Sequence, residues 1–280
     1  MTVLITGSRG RVARALTALL HDRGVGVRVA SRKPEEVQPP EGVRTTALSL
    51  DEPSGFPAAL AGVDSVFLYA EASHIGAFLE RAEQAGVGHV VLLSSASVME
   101  PDAERDPIAR HHLAVETALA ASPITSTVLR PGAFAANALQ WAWPVKASGA
   151  VNLPYPGAHT DPVHEADLAE AACAALTDSR VRGGTYHLTG PESLSFAAQV
   201  EVLADITGQP IAAVPVSREA WRAETAEHLP EAFAEALLDW WKALDGTPTE
   251  VTDTLERLIG RPPRTFASWA RENAAAFTRP

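Results

Sequence analysis

The sequence predicts a doubly wound α/β fold, a parallel sheet covered by helices on both faces, joined to a smaller, mainly helical C-terminal region. Three observations predict it. A short apolar strand stops at a glycine-spaced turn and passes at once into an amphipathic helix, in the run Val3-Leu4-Ile5-Thr6-Gly7-Ser8-Arg9-Gly10-Arg11-Val12-Ala13. Strand and helix patterns then alternate as far as residue 136. Continuous apolar runs such as Val90-Val91-Leu92-Leu93 fit strands buried on both faces.

Taken in order, strands are expected over 2–6, 26–31, 43–48, 65–70, 89–95 and 125–130, with helical stretches near 11–23, 56–61, 73–86 and 108–121. Right-handed crossovers put the carboxyl ends of such strands on one edge of the sheet, so the segments ending in Gly7, Arg32, Ala70, Ser95 and Pro131 converge there. After Phe134 the texture changes. Residues 137–162 are rich in Trp, Pro and Gly, 163–177 return to a helical period, and Tyr186-His187-Leu188-Thr189 reads as one more strand. From 193 the chain is mainly helical, with a strand at 211–216.

The glycine turn reads as a dinucleotide-binding loop. Gly7 permits the tight turn, Gly10 lets the backbone approach a diphosphate, and Ala13 allows close packing of helix on strand. Phosphate oxygens would sit on the unpaired N–H groups at the helix N-terminus, which makes Ser8, Arg11 and Val12 further candidate contacts. Tyr69, Ala70, Ser94 and Pro131, at the carboxyl ends of later strands, complete the candidate cofactor set. The expected organisation is a nucleotide-binding core over 1–136, completed by 163–190, with 137–162 and 191–280 as a cap.

Composition narrows the class. The 280 residues are 46% hydrophobic and 20% charged, enough to bury a full core. A net charge of −11 opposes general nucleic-acid binding, which needs a basic surface to displace counterions. No apolar run approaches the ~20 residues that span a bilayer, and no secretory leader is read, so no membrane association and a cytoplasmic location are expected. Cys173, the only cysteine, reads as a small buried helix residue. His159, Asp161, His164 and Asp167 form a polar cluster without metal-ligand spacing; a loop leading into a helix is expected there, and no metal.

Several segments in order, Thr6-Gly7-Ser8-Arg9-Gly10, Ala59 to Leu68, Ala85 to Ser95, Leu129-Arg130-Pro131-Gly132-Ala133-Phe134 and Leu188-Thr189-Gly190-Pro191-Glu192, resemble the NmrA-like, atypical branch of the short-chain dehydrogenase/reductase superfamily. The resemblance spans nearly the whole chain and is weakest over 193–280. It implies an NAD(P)-binding Rossmann core, and relatives that reduce carbonyls, quinones or activated double bonds or that bind cofactor as regulators. It also implies that Leu50 and Asp51 contact the adenine, although Ser49 stands where the family often has Asp. Where NAD-preferring loops place an acidic residue after the second strand, this chain reads Ser31-Arg32-Lys33, so Arg32 and Arg9 are the candidates for gripping the 2′-phosphate of NADP(H).

The superfamily's Tyr-x-x-x-Lys pair is absent after the fifth strand. In the corresponding helix stand His112 and Glu116, four residues apart on one face. Glu116 is expected to orient His112 and favour its protonated form as an acid; a helix-stabilising pair with no chemical role is the alternative. Ser95 aligns with the superfamily's active-site serine, as a carbonyl-polarising hydroxyl or a backbone-satisfying one. Trp141, Trp143, Tyr155, Trp221, Trp240 and Trp241 lie outside the nucleotide core. With Phe134 and Asn137, which the resemblance places toward substrate, they are candidates for an apolar pocket. Two readings follow: an NADPH-dependent reductase of a ketone, quinone or conjugated alkene in a medium-sized hydrophobic substrate, of which an aromatic polyketide-like molecule is one candidate, or a non-catalytic NADP(H)-binding redox sensor. Monomer and homodimer stay open.

Overall fold

Alternation along the first strand explains how one sheet serves two cores. In β1 (Thr2–Ile5), Val3 and Ile5 point to one face and Leu4 to the other, and all three are fully buried. The computed structural model describes residues 1–278. The chain continues through α1 (Arg11–Asp22), β2 (Gly26–Ser31), β3 (Arg44–Ala47), α2 (Phe56–Leu60), β4 (Ser65–Tyr69), α3 (Ile75–Gln84), β5 (His89–Leu93), α4 (Ala109–Ala121) and β6 (Thr125–Pro131). Then come α5 (Ala142–Ser148), β7 (Ala150–Leu153), β8 (His159–Thr160), α6 (Glu165–Thr177), β9 (Thr185–Leu188), β10 (Leu194–Ser195), α7 (Phe196–Thr207) and β11 (Ala212–Pro215). Four further helices follow, α8 (Arg218–Thr225), α9 (Glu231–Ala243), α10 (Thr254–Ile259) and α11 (Phe266–Glu272).

The sheet has seven strands in the order β3-β2-β1-β4-β5-β6-β9, every neighbouring pair parallel. Strand order reverses at β1, the switch point outside which ligands bind in open α/β sheets. One face is covered by α1 and α6: Val12, Leu16 and Leu20, spaced by four residues, meet Val3, Ile5, Leu168 and Ala172. The other is covered by α2, α3 and α4, where Phe56 and Phe78 pack edge to face at 5.3 Å beside Leu4 and Val115.

A third cluster joins residues from 135–158 with residues from 194–277. Trp141, Phe196, Trp241 and Trp221 contact one another edge to face, with centroids 5.8, 5.4 and 5.0 Å apart in that order. The end of the chain is tied back to α6. Asp167, fully buried, accepts from the guanidinium of Arg261 at 2.5 Å, from that of Arg264, and from the Arg264 backbone N–H at 2.6 Å. Leu255 of α10 also returns to the face covered by α1 and α6, so the 191–280 stretch is not packed wholly within a cap. The long strands and helices fall within a few residues of their expected places. Strand β5 is shorter than expected, because Ser95 already caps the 3-10 turn over Ala96–Met99.

Candidate functional site

The first crossover forms the cradle that a diphosphate needs. Gly7 has φ of +64°, and a Cβ there would fall 3.1 Å from Tyr69 Cβ. The Gly10 N–H donates to Gly7 O at 2.8 Å, closing the turn. Gly10 is the N-cap of α1 and supplies no side chain to it, so the first-turn N–H groups of Arg11, Val12 and Ala13 face the open side with the positive end of the helix dipole. Thr6 Oγ1 accepts from Tyr69 N at 2.7 Å and donates to Phe67 O at 3.1 Å, which fixes the carboxyl ends of β1 and β4 together. Ser8 is buried beneath the turn. These residues fit a dinucleotide diphosphate.

Beside the turn, the first residues after β2 are the basic Arg32 and Lys33. Lys33 Nζ is paired with Glu36 at 2.6 Å, and Ser31 Oγ accepts from Lys33 N at 3.1 Å. The exposed guanidinium groups of Arg9 and Arg32 make no hydrogen bond or ion pair with the described residues. Arg9 borders a cleft of about 370 Å³ together with Ser8, Glu36 and Val37. Leu50 is half-buried and Asp51 exposed; the Ser49 hydroxyl donates to the Asp51 carboxylate and holds its pKa below the ordinary value.

The β5 and β6 ends correct the catalytic expectation. Glu116, on α4 and only 9% exposed, does not hold His112. Its Oε1 accepts from Ser94 Oγ at 2.5 Å and from Arg130 Nε at 3.1 Å, while Oε2 accepts from the same guanidinium at 2.5 Å. A carboxylate gripped by a planar two-pronged donor and a hydroxyl is a structural clamp between α4, β5 and β6. His112 Nδ1 is buried without a hydrogen-bond partner among the described residues. Burial, then the neighbouring His111, push the His112 pKa down against the weaker pull of Glu116, the opposite direction to the favoured protonated form expected. Ser95 Oγ accepts from Ser97 N at 3.2 Å and from Ser97 Oγ at 2.9 Å, so the backbone-satisfying role is in place. Arg130 was missed because helical spacing inspects one element, whereas this partner lies on a strand.

At the end of β6, Pro131 is buried and Gly132 sits against Asp161 so closely that a Cβ would lie 2.1 Å from Asp161 Oδ2. Burial pushes the Asp161 carboxyl up to about 6, while its Oδ1 accepts from Ala133 N at 3.3 Å. This fixes the turn that leads to Phe134, half-buried, and Asn137, exposed. Ala70, buried after β4, offers its carbonyl to His111 Nε2 at 3.3 Å.

The tryptophan expectation needs correction too. Trp141 and Trp221 are interior residues of the third cluster, 6% and 7% exposed, because edge-to-face aromatic packing buries them more completely than a pocket wall would. Tyr155 is half-buried, its hydroxyl 3.4 Å from Arg218. Trp240 is on the outer side of α9, and Tyr69, Met99 and Trp143 are more exposed than it. Met99 carries no sequence motif and could not have been found from one. Among the described residues no group of three or more His, Cys, Asp or Glu could hold a metal ion, and no helix is long and apolar enough to cross a membrane.

A parallel sheet that reverses order at β1, with an uncapped glycine turn leaving that strand, defines a dinucleotide-binding protein. The comparisons make the class specific. Residues 7–179 match the NAD(P)H-binding family model. A (4-alkanoyl-5-oxo-2,5-dihydrofuran-3-yl)methyl phosphate reductase of Streptomyces griseus subsp. griseus is 34% identical, covering 98% of this chain and 99% of that one. An NAD(P)H azoreductase of Xenophilus azovorans is 30% identical, over 98% and 99%. Among solved structures, the Citrobacter triphenylmethane reductase complexed with NADP(H) superposes with a TM-score of 0.83 at 22% identity, over 98% and 100% of the two chains. An NADPH-dependent quinone oxidoreductase from Escherichia coli gives 0.81 at 22%, over 96% and 98%. The chain belongs to the NAD(P)H-binding family, in its NmrA-like atypical short-chain dehydrogenase/reductase branch, and is an NAD(P)H-dependent oxidoreductase.

Proposed function

We propose that this protein is an NADPH-dependent reductase of a hydrophobic acceptor whose double bond is conjugated, an unsaturated lactone, enone or quinone, and not of an isolated ketone. The observation that carries this is the buried His112 Nδ1, without a hydrogen-bond partner among the described residues and in a ring whose pKa burial pushes down, on the helix where the superfamily's tyrosine and lysine are missing. Reduction of an isolated ketone builds full charge on one oxygen and needs a positioned acid. A conjugated acceptor spreads that charge, so one hydrogen bond at its oxygen and a proton from water suffice. A neutral imidazole supplies such a hydrogen bond without giving up its proton.

Bound NADPH would supply the hydride. The glycine turn and the α1 N-terminus would hold the diphosphate, and the unpaired Arg9 and Arg32 would grip the 2′-phosphate. Ser94, Glu116 and Arg130 would fix the β5 and β6 ends against which the nicotinamide rests. Exposed Tyr69, which ends β4, and Met99, after β5, would offer apolar surface to the acceptor. The Streptomyces relative supports the class, being named for a 5-oxo-2,5-dihydrofuran whose ring alkene is conjugated to carbonyl groups.

The test is NADPH oxidation with three acceptors of similar size: an acyl butenolide, a naphthoquinone and an aryl alkyl ketone. Turnover of either conjugated acceptor at least 100-fold faster than of the ketone is expected. Preference for the ketone would overturn the reading, as would saturable NADPH binding with no turnover of any of the three.

A further inference from the structure

We propose that the cleft between the first turn of α1, the N-terminus of α6 and helix α11 is a site for an oxyanionic group, phosphoryl or carboxylate, separate from the diphosphate cradle. The cleft has a volume of about 480 Å³ and includes Arg11, Arg14, His164, Trp269, Glu272 and Asn273 in its lining. Two of these are interior residues with unused donors. Trp269 is fully buried and His164 5% exposed, and neither Trp269 Nε1 nor His164 Nε2 has a hydrogen-bond partner among the described residues. An N–H left unpaired in a protein interior costs about 1–3 kcal/mol, which marks a place where a ligand supplies the acceptor.

The histidine tautomer is set locally. His164 Nδ1 accepts from Ala166 N at 3.1 Å as the cap of α6, so in the neutral ring the proton is on Nε2, facing the cleft. The charges nearby favour an anion. Arg14 makes no side-chain hydrogen bond with the described residues, Arg11 uses one nitrogen on Asn273 Oδ1 at 3.2 Å, and the positive ends of α1 and α6 both border the cleft. Glu165 also lines it, but its Oε1 accepts from Ala136 N at 2.8 Å and burial raises its pKa, weakening its opposition. Glu272, more than half exposed, brings Oε2 to 3.2 Å from His164 Nε2 without hydrogen-bond alignment. That carboxylate is the protein's own imperfect stand-in for the anion, able to swing into solvent when a better one arrives.

The experiment titrates inorganic phosphate into the NADPH-saturated protein at constant ionic strength and follows the indole N–H resonance of Trp269, assigned by its loss in Trp269→Phe. A saturable shift is expected, with half-saturation at least tenfold weaker in Arg14→Gln and several-fold tighter in Glu272→Gln. NADPH affinity is measured on the same samples. No saturable shift, or equal half-saturation in all three proteins, overturns the proposal. So does displacement of NADPH by phosphate with Trp269 unmoved, which places the anion at the glycine turn and leaves the cofactor assignment standing. Once binding is seen, kinetics separate the sources. Phosphate competing with a phosphorylated acceptor but not with a neutral one marks the acceptor's own phosphoryl group, and no competition with either marks a free anionic effector.

Discussion

Replacing Glu116 by Gln tests whether the buried carboxylate is a clamp or a participant in chemistry. The substitution keeps the shape of the side chain and its ability to accept from Ser94, but removes the charge that balances Arg130. Breaking a buried ion pair from one side costs about 3–5 kcal/mol, mostly through the charge left behind. The Arg130 side chain is 26% exposed and can recover some hydration, which lowers the expectation to about 2–3 kcal/mol. For a chain of this length that corresponds to a fall in melting midpoint of roughly 3–5 °C. The assay is urea unfolding of wild type and Glu116→Gln, with kcat measured below the transition. The clamp reading expects the stability loss with kcat within about tenfold, and partial recovery in the double variant Glu116→Gln/Arg130→Gln, where no charge is stranded. Stability within about 0.5 kcal/mol of wild type, together with a kcat loss beyond 100-fold, would refute it and return Glu116 to the reacting centre.

Arg32→Asp should weaken NADPH binding by about 10–100-fold, the loss of charge-assisted hydrogen bonds worth about 1.5–3 kcal/mol, while leaving NADH affinity unchanged or improved. Fluorescence titration of both nucleotides checks it, and an unchanged ratio removes the 2′-phosphate assignment. Gly132→Ala should destabilise the protein by about 1–3 kcal/mol through overlap with Asp161, and pairing it with Asp161→Ala should recover part of the loss in thermal unfolding. His89 is buried with Nε2 2.8 Å from Thr127 Oγ1, and burial, aided by Arg182, brings its pKa to about 4 from 6.5. The folded value is depressed, so the stability it confers is complete above pH 6.5 and is lost as pH falls through 4. The loss is on the order of 3 kcal/mol. Unfolding measured from pH 7 to 4 should show that slope in wild type and a flatter one in His89→Gln.

The first strand, the glycine turn, α1 and the six strands up to Pro131 were legible because each rests on local signals: apolar runs of strand length, a helix of period four and turn glycines. The open N-terminus of α1 was legible for the same reason, its geometry being set by consecutive residues. The partner of Glu116 was not. Residues 116 and 130 meet only because β6 returns beside β5, and a sequence shows who is near along the chain but not who is near across a sheet. The aromatic residues failed for a related reason. Tryptophan at 141 and 221 is compatible with a pocket wall or an interior, and only packing distinguishes them. The short pairs β7 with β11 and β8 with β10 were legible at 211–216 alone, since strands of two to four residues carry too little alternation to read.

The knot of charge around Asp167 bears on how the polypeptide reaches its final form. Its counter-ions come from positions 261 and 264, nearly a hundred residues downstream, so a nascent chain that has finished the sheet holds this carboxylate without its guanidinium partners until those arginines leave the ribosome. Any truncated product or split fusion ending before them leaves that charge without its two ion-pair partners. Completion of the whole chain thus becomes a condition for durable folding of its first two-thirds.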